Sequence, residues 1–247
     1  MISAINARRA GIGELSLYVG AYLVYLATKG LLHSDPRAVG LENGDKVVSL
    51  QRDWGFLWEP EWQSWAIENV KALVVTLNWV YIVTYWPVIL VVALFLYLRR
   101  RRDYSFYRTV VFVDLAGALV TFMLFPVASP FAIPGVELLD TIQEYGPRFY
   151  GSEDMASLYN ISAAMPSLHF SWTVILGVLF FRTLPGAFRL LGLLYPVLTF
   201  FAIVLTGNHF ILDAIAGGIL AILSFGVVIL LRRTVWPERL TLRPPAI

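Results

Sequence analysis

The chain reads MPSLHFSWT from residue 165 to 173 and TGNHFILDAIAGG from 206 to 218, two short polar breaks in otherwise apolar sequence. His169 lies in the first break and His209 in the second, and they are two of only three histidines among 247 residues. Asp213 follows His209 by four residues, so on a helix the two side chains share a face. Ionisable groups at membrane depth are costly and therefore mark candidate functional sites.

The composition indicates a membrane protein. Of the residues, 58% are hydrophobic and 15% are charged, whereas soluble domains carry about 25% charged residues. A net charge of +2 gives no sign of a nucleic-acid partner. The absence of cysteine excludes disulfides and cysteine-ligated metals. We therefore expect one all-α, polytopic membrane domain over residues 1–247.

Six apolar runs predict a bundle of six transmembrane helices, because about 20 apolar residues span a bilayer core. We place the spans at about 12–32, 70–98, 107–125, 165–181, 190–205 and 209–231. The second run is longer than the bilayer core requires, so we expect it to tilt or to project beyond the lipid.

Two long polar segments, at about 33–69 and 126–162, are predicted to be extracytoplasmic loops. In the first, Trp58, Trp62 and Trp65 follow the i, i+4, i+7 spacing of one helix face. Indole rings favour the headgroup level, so this stripe predicts an interfacial helix. A loop packed over the spans is the alternative.

Basic residues concentrate on one side of the predicted bundle. With six spans, the two termini and the connections 98–108 and 182–189 lie on that side and carry 13 of the 19 Lys and Arg residues. The opposite side carries 12 of the 17 acids. The positive-inside rule places the basic side in the cytoplasm. His169 and His209 start spans on the other side, so we expect an extracytoplasmic site in the plasma (inner) membrane, or in a Golgi or ER membrane of a eukaryote.

Two histidines and an aspartate suffice for a double displacement at phosphorus. Asp213 can hold a proton on one imidazole nitrogen of His209 and leave the other nitrogen as a nucleophile, which forms a phosphohistidine. His169 then protonates the leaving oxygen and later takes a proton from the acceptor. An enzyme that uses water as the acceptor is a phosphatase, and one that uses an alcohol is a phosphotransferase.

A phosphoryl group also needs donors and a binding pocket. The candidate substrate-binding side chains are Ser167, Arg148, Asn208, Lys71, Tyr81 and Tyr85. Backbone amides at the starts of spans four and six are further candidates, because a helix N-terminus favours anions. Tyr81 and Tyr85 lie on one face of the second span, and we expect them to face the bundle interior.

Two other interpretations are less well supported. A zinc site would need Asp213 as a ligand beside the histidines, since zinc usually takes three or four protein ligands; we predict no metal and no cofactor. A transporter is expected to carry paired helix breaks in its two halves, which we do not find. Asp114, in the third span, is predicted to be a structural hydrogen-bonding group near Arg108 and not a proton carrier.

At the two polar breaks the sequence resembles the type 2 phosphatidic acid phosphatase superfamily. That family carries a Pro-Ser-x-His motif and a later His-x-x-x-Asp motif, matched here at 166–169 and 209–213. The forms AAMPSLHF and TGNHFILDAIAG are more similar to the branch of the aureobasidin-sensitive inositol phosphorylceramide synthases and their bacterial relatives. The similarity extends from about Glu42 through LNWVYIVTYWP and LFPVASPF to Gly218.

The resemblance implies a six-span helical core and a lipid phosphatase or phosphotransferase. Its substrate would be a lipid phosphate or phospholipid, including sphingolipid chemistry, with inositol or a lipid alcohol as an acceptor. The resemblance makes His209 the nucleophile, Asp213 its orienting group, and His169 the acid and base.

Two positions depart from the family pattern. Ile203 stands where the superfamily carries an arginine, and Phe131 stands where relatives often carry a basic residue. Phosphate binding must then rely on Arg148, Lys71 or backbone donors. The alternative function is a lipid-binding or scaffolding relative that has lost its phosphate affinity.

Overall fold

The computed structural model of the chain describes residues 2–28, 35–147 and 162–235. These residues form nine α-helices and two short 3-10 turns, and their only strand-like feature is one bridge between Val127 and Ala163. The helices are α1 Ile2–Thr28, α2 Pro36–Asp53, α3 Glu59–Val83, α4 Trp86–Arg99, α5 Arg101–Leu124, α6 Thr141–Tyr145, α7 Leu168–Thr183, α8 Leu191–Leu205 and α9 Ile211–Val235. The 3-10 turns cover Pro130–Ala132 and Gly186–Leu190. The all-α prediction is confirmed.

Several of these helices mark a multi-pass membrane protein. In the described ranges, four are long and apolar enough to cross a membrane: Glu59–Val83, Arg101–Leu124, Gly186–Leu205 and Ile211–Arg233. Three shorter apolar helices are Gly11–Ala27, Trp86–Arg99 and Leu168–Thr183. At 1.5 Å per residue, α4 is about 21 Å long, which falls short of the ~30 Å hydrocarbon core. The count of six spans therefore stays a prediction.

The second predicted span is two helices, so the expectation of one long tilted helix over 70–98 is wrong. The helix is interrupted at Thr84 and Tyr85, between α3 and α4. Pro87 is the cause, because it has no N–H for the carbonyl of Val83 and its ring would clash with the preceding turn. Tyr195 of α8 donates its hydroxyl to the carbonyl of Thr84 over 2.9 Å, which satisfies an acceptor that the interruption frees.

Helix α3 begins inside the first polar segment. Trp62 and Trp65 lie in its first half, which ends in a kink at Val70 with φ −140° and ψ 45°. The helix predicted from the tryptophan stripe is therefore present and continues into the apolar half of α3. Trp65 is exposed, whereas Trp62 stacks obliquely against Phe201 of α8. The interfacial position of this half stays a prediction.

Helix α2 occupies about half of the first polar segment, ahead of the tryptophan stripe, in a part for which the sequence predicts no helix. Asp35 caps it by accepting the amides of Arg37 and Ala38 at 3.1 and 3.0 Å, and Pro36 takes the first helical position. This Asp-Pro pair is a typical helix start. A Cβ on Gly44 would overlap the side chain of Ile133, so glycine lets α2 pack onto the segment after α5.

Helix α2 lies over the backbone of the second histidine segment. Val47 and Val48 pack in one apolar cluster with Val127, Ala164 and Phe210. Phe210 is completely buried there and directly follows His209. The first polar segment thus contributes to the core around the site.

Buried polar contacts join the central helices α5, α7 and α9. Asp114 is completely buried and accepts the hydroxyl of Ser171 at 2.6 Å, with Ser224 at 3.4 Å. Its predicted structural role is confirmed, but the predicted partner is wrong. Arg108 pairs with Glu14 of α1 instead.

Candidate active site

The two histidine segments meet at one end of the bundle. The amide of Ser167 donates to the carbonyl of Asp213 over 3.0 Å. Gly217 packs so closely against the carbonyl of Ser167 that a Cβ would overlap it. As a result, the ring centroids of His169 and His209 lie 5.8 Å apart, close enough for both imidazoles to act on one phosphoryl group.

His209 has a defined tautomer. Its Nδ1 lies 2.9 Å from the carbonyl oxygen of Ala164 and 3.4 Å from Oδ2 of Asp213. Both neighbours are acceptors, so Nδ1 carries the proton and Nε2 keeps its lone pair. The side chain is 7% exposed, so water competes little for this proton. Nε2 is therefore the nitrogen that keeps a lone pair, as the predicted nucleophile requires.

Ala164 is a site residue that the sequence analysis misses. Its carbonyl is nearer to Nδ1 than the predicted partner, Asp213. A main-chain acceptor leaves no signature in the side-chain pattern. The bridge that pairs the backbone of residues 162–164 with Val127 positions this carbonyl, through amide donors at 3.1 and 2.9 Å.

Asp213 serves two groups at once. Its carboxylate is completely buried, and Oδ2 accepts the amide of Phe210 at 2.8 Å in addition to facing His209. The contact with the amide of Phe210 is an N-terminal cap of α9. In this cap the side chain of Asp213 accepts the amide of the residue three positions earlier. The cap fixes the carboxylate on the same side as the imidazole.

The backbone amides at the start of α9 are already occupied. The amide of Ile211 donates to Oε1 of Glu59 over 2.7 Å, and the amide of His209 donates to the carbonyl of Ile203 over 3.0 Å. Together with the cap by Asp213, these bonds occupy the amides of His209, Phe210 and Ile211. Contrary to the expectation for the start of span six, these three amides are not free to bind the anion.

The start of α7 is different. Ser167 caps the helix by accepting the amide of Phe170 at 3.3 Å, which leaves its own hydroxyl proton for another acceptor. The amides of Leu168 and His169 belong to the first turn, which makes no intrahelical bond. Ser167 itself is completely buried.

His169 lies between two tyrosine rings. The ring of Tyr81 stacks at 4.3 Å and 24°, and that of Tyr85 at 4.1 Å and 34°. The prediction that both tyrosines face the interior is confirmed. A cavity of about 10 Å³ adjoins them between α3, α7 and α8, which suits about one water molecule. Its polar lining comprises Tyr81, Thr84, Tyr85, His169, Thr173, Tyr195 and Thr199.

The other predicted substrate-binding residues are held by neighbours. Lys71, next to the kink in α3, places its ammonium 3.9 Å from the ring centre of Tyr145. Asn208 donates its amide to the hydroxyl of Thr206 over 2.9 Å, within its own turn. Arg148 lies outside the described residues. The roles of all three in substrate binding stay predictions.

The turn at 206–208 depends on a glycine. Gly207 has φ +77°, and a Cβ there would overlap the carbonyl of Leu139. The carbonyl of Gly207 accepts the amide of Phe131 at 3.2 Å. The position at which relatives often carry a basic residue therefore lies beside the turn that presents His209.

Glu59 and Gln63 are buried polar residues that the sequence analysis does not single out. Oε1 of Glu59 also accepts Nε2 of Gln51 at 2.7 Å. Gln63 donates to the carbonyls of Leu139 and Leu205 at 3.0 and 3.1 Å and accepts the amide of Leu139 at 2.7 Å. The available signal was their i, i+4 spacing on the helix face beside the tryptophans.

The geometry agrees with one family comparison. A family model described as the PAP2 superfamily matches residues 45–227, from within α2 to within α9, and so includes both histidine segments. No curated protein and no solved structure matches the chain significantly. The inositol phosphorylceramide synthase-like branch stays a prediction. Because the match covers well over half of the sequence, the chain belongs to the PAP2 superfamily, the type 2 phosphatidic acid phosphatases and their relatives.

Proposed function

We propose that this protein is an integral-membrane enzyme that cleaves a lipid phosphate or phosphodiester through a phosphohistidine at His209. Family membership supports a phosphatase- or phosphotransferase-type activity. The observation that carries the finer proposal is the environment of Nδ1 of His209, with Ala164 at 2.9 Å and Asp213 at 3.4 Å. That environment leaves the lone pair of Nε2 available as a nucleophile.

In the first step, Nε2 attacks the phosphorus in line with the leaving oxygen. The N–P bond forms as the P–O bond to the leaving alcohol breaks, and His169 gives its proton to that oxygen. The buried carboxylate of Asp213 stabilises the positive charge that develops on His209. The centroid separation of 5.8 Å is consistent with both rings acting on one phosphoryl group.

In the second step, a hydroxyl attacks the same phosphorus. The N–P bond breaks, and His169 takes the proton of the incoming hydroxyl and so regains its acidic form. Our first choice of reaction is transfer from a phospholipid headgroup to inositol or a lipid alcohol. Dephosphorylation is the same chemistry with water as the acceptor. The basic residues at the opposite end of the bundle favour an outer-leaflet site.

Several groups can hold the phosphoryl oxygens. The hydroxyl of Ser167 and the first amides of α7 can donate hydrogen bonds to an anion at that helix start, where the helix dipole favours negative charge. Lys71, Asn208 and Arg148 remain part of the proposal as side-chain donors. This set contains fewer basic residues than the family pattern supplies.

A lipid-binding relative without turnover is the second candidate function. Phe131 favours it, because its amide bonds the turn before His209 while its side chain offers no charge to a phosphate. The two candidates share a fold and differ in phosphate affinity.

The test uses purified full-length protein in detergent with a panel of phospholipids and lipid phosphates. Released phosphate and new lipid species are followed for the wild type, His209→Ala and His169→Ala. We expect turnover that His209→Ala abolishes, together with a phosphoenzyme that is stable in base and labile in acid. Equal inertness of wild type and His209→Ala across the panel would favour the lipid-binding candidate.

A further inference from the structure

The orientation of His169 rests on ring contacts and not on hydrogen bonds. His209 has a carbonyl and a carboxylate beside Nδ1. In the described part of the chain, His169 forms no side-chain hydrogen bond or ion pair with a carboxylate. The faces of its imidazole instead meet Tyr81 at 4.3 Å and Tyr85 at 4.1 Å.

We propose that Tyr81 and Tyr85 form an aromatic clamp that positions His169 as the acid of the reaction. This inference rests on the proposed function, in which His169 protonates the leaving oxygen. The two tyrosines act through His169 and are positioning residues. Their assignment differs from the predicted role in substrate binding.

The interrupted helix builds the clamp. In a regular helix, residues i and i+4 lie one above the other on one face, with Cβ atoms about 5–6 Å apart. The interruption that Pro87 causes falls between α3 and α4, where Tyr85 has φ −74° and ψ −79° and so departs from regular helix geometry. The rings of Tyr81 and Tyr85 then flank the imidazole. The hydroxyl of Tyr195 fixes the interruption at Thr84.

Tyr85 is itself held in place. Its second face stacks on Trp172 at 5.7 Å and 21°, and Trp172 lies on α7, three residues after His169. Trp86 closes the cluster edge-on against both Tyr85 and Trp172, at 5.4 and 5.8 Å. Tyr85 is 6% exposed. A ring packed on both faces can fix the orientation of the imidazole beside it.

Stacking on the faces suits an acid in two ways. It leaves the ring nitrogens at the edge of the clamp, where the substrate oxygen must arrive. Aromatic faces also attract a cation, so the clamp favours the imidazolium form against its burial and against the neighbouring His209. The titratable groups around His169 are Tyr81, Tyr85, Tyr195 on α8, and His209 before α9; the described contacts give it no carboxylate.

The test compares two substrates that differ in their need for an acid. The leaving group of a lipid phosphate is an alkoxide, which needs a proton from the acid. The leaving group of p-nitrophenyl phosphate is a stabilised phenolate, which does not. We measure kcat/KM for both with Tyr81→Leu, Tyr85→Leu, Tyr81→Phe and Tyr85→Phe. The ratio of the two values does not depend on how much of a variant is folded.

We expect each Leu variant to have a roughly tenfold lower kcat/KM for the lipid phosphate and a much smaller decrease for p-nitrophenyl phosphate. The alkaline limb of the pH profile for the lipid phosphate should move to lower pH by about one unit. The Phe variants should keep the wild-type ratio of kcat/KM values and the wild-type pH profile, because they keep the aromatic ring. His169→Ala should show the same selectivity with a larger loss, ~10²–10⁴-fold.

Tyr107→Leu is the matched control for Tyr85→Leu, since Tyr107 is a tyrosine of similar burial on α5, 7% exposed against 6% for Tyr85. This substitution should change kcat/KM by the same factor for both substrates. Equal losses on the two substrates in the Tyr81 and Tyr85 variants, or a failure of Phe to restore the profile, would overturn the clamp alone. Full activity of His209→Ala on both substrates would instead overturn the proposed function.

Discussion

The amide of Ile211 donates a 2.7 Å hydrogen bond to Oε1 of Glu59, a buried carboxylate 152 residues earlier in the chain. The same oxygen accepts Nε2 of Gln51 at 2.7 Å. This contact ties the end of α2 and the start of α3 to the start of α9. Because Ile211 follows His209 by two residues, the first polar segment helps to set the position of His209.

Glu59→Ala should therefore destabilise the protein and reduce turnover. It leaves the buried amide of Ile211 without its acceptor, at a cost of roughly 1–3 kcal/mol, and leaves Nε2 of Gln51 with only the carbonyl of Phe56 at 3.4 Å. Glu59→Gln keeps one oxygen and should lie between the wild type and Glu59→Ala in melting temperature. Thermal unfolding in detergent checks the order, and an unchanged melting temperature for Glu59→Ala would contradict it.

Asp213→Asn should reduce kcat by about 10²-fold, whereas His209→Ala should abolish turnover. The amide of Phe210 requires an acceptor at the Oδ2 position, so asparagine should place its oxygen there and preserve the geometry. Only the charge beside Nδ1 is then lost, and the carbonyl of Ala164 still orients the ring. Steady-state kinetics on a lipid phosphate measure both variants. Equal losses in the two would show that Ala164 contributes nothing.

Phe131→Arg should strengthen phosphate binding. Position 131 lies beside the turn that presents His209, through the 3.2 Å bond from its amide to Gly207. A guanidinium there adds a charge-assisted contact to the phosphoryl oxygens, so KM and the inhibition constant of inorganic phosphate should both fall about tenfold. Phe131→Leu is the uncharged control and should leave phosphate inhibition unchanged. A loss of affinity with arginine would place the phosphate elsewhere.

Gly207→Ala should cost more than Gly135→Ala. Both glycines have positive φ, +77° and +79°, so both substitutions carry a similar backbone strain, about 1 kcal/mol. A Cβ at Gly207 also overlaps the carbonyl of Leu139, whereas a Cβ at Gly135 meets nothing within 4 Å. We expect Gly207→Ala to lower the melting temperature and remove most activity, and Gly135→Ala to leave the activity intact. Equal effects of the two substitutions would show that the overlap is relieved cheaply.

Much of the site is local and could be predicted. His209 and Asp213 share a helix face because the chain turns once every 3.6 residues, and Pro166 to His169 form a short motif that needs no distant partner to recognise. The apolar runs likewise predict a helical membrane protein, because length and composition alone decide whether a segment suits the bilayer. Further local signals are Pro87, which interrupts the second run, and the pair Asp35–Pro36, which begins α2.

The remaining features arise only when distant segments meet. The carbonyl of Ala164 and the carboxylate of Glu59 reach His209 and Ile211 from elsewhere in the chain, and the clamp around His169 requires α3 to pack against α7. Helix periodicity specifies which side chains share a face, but not which other element that face will contact. The sequence by itself therefore determines the helices and the two histidine motifs. The tertiary structure decides which acceptors orient His209 and which amides remain for a phosphate, because each buried donor and acceptor must find a partner in the packed protein.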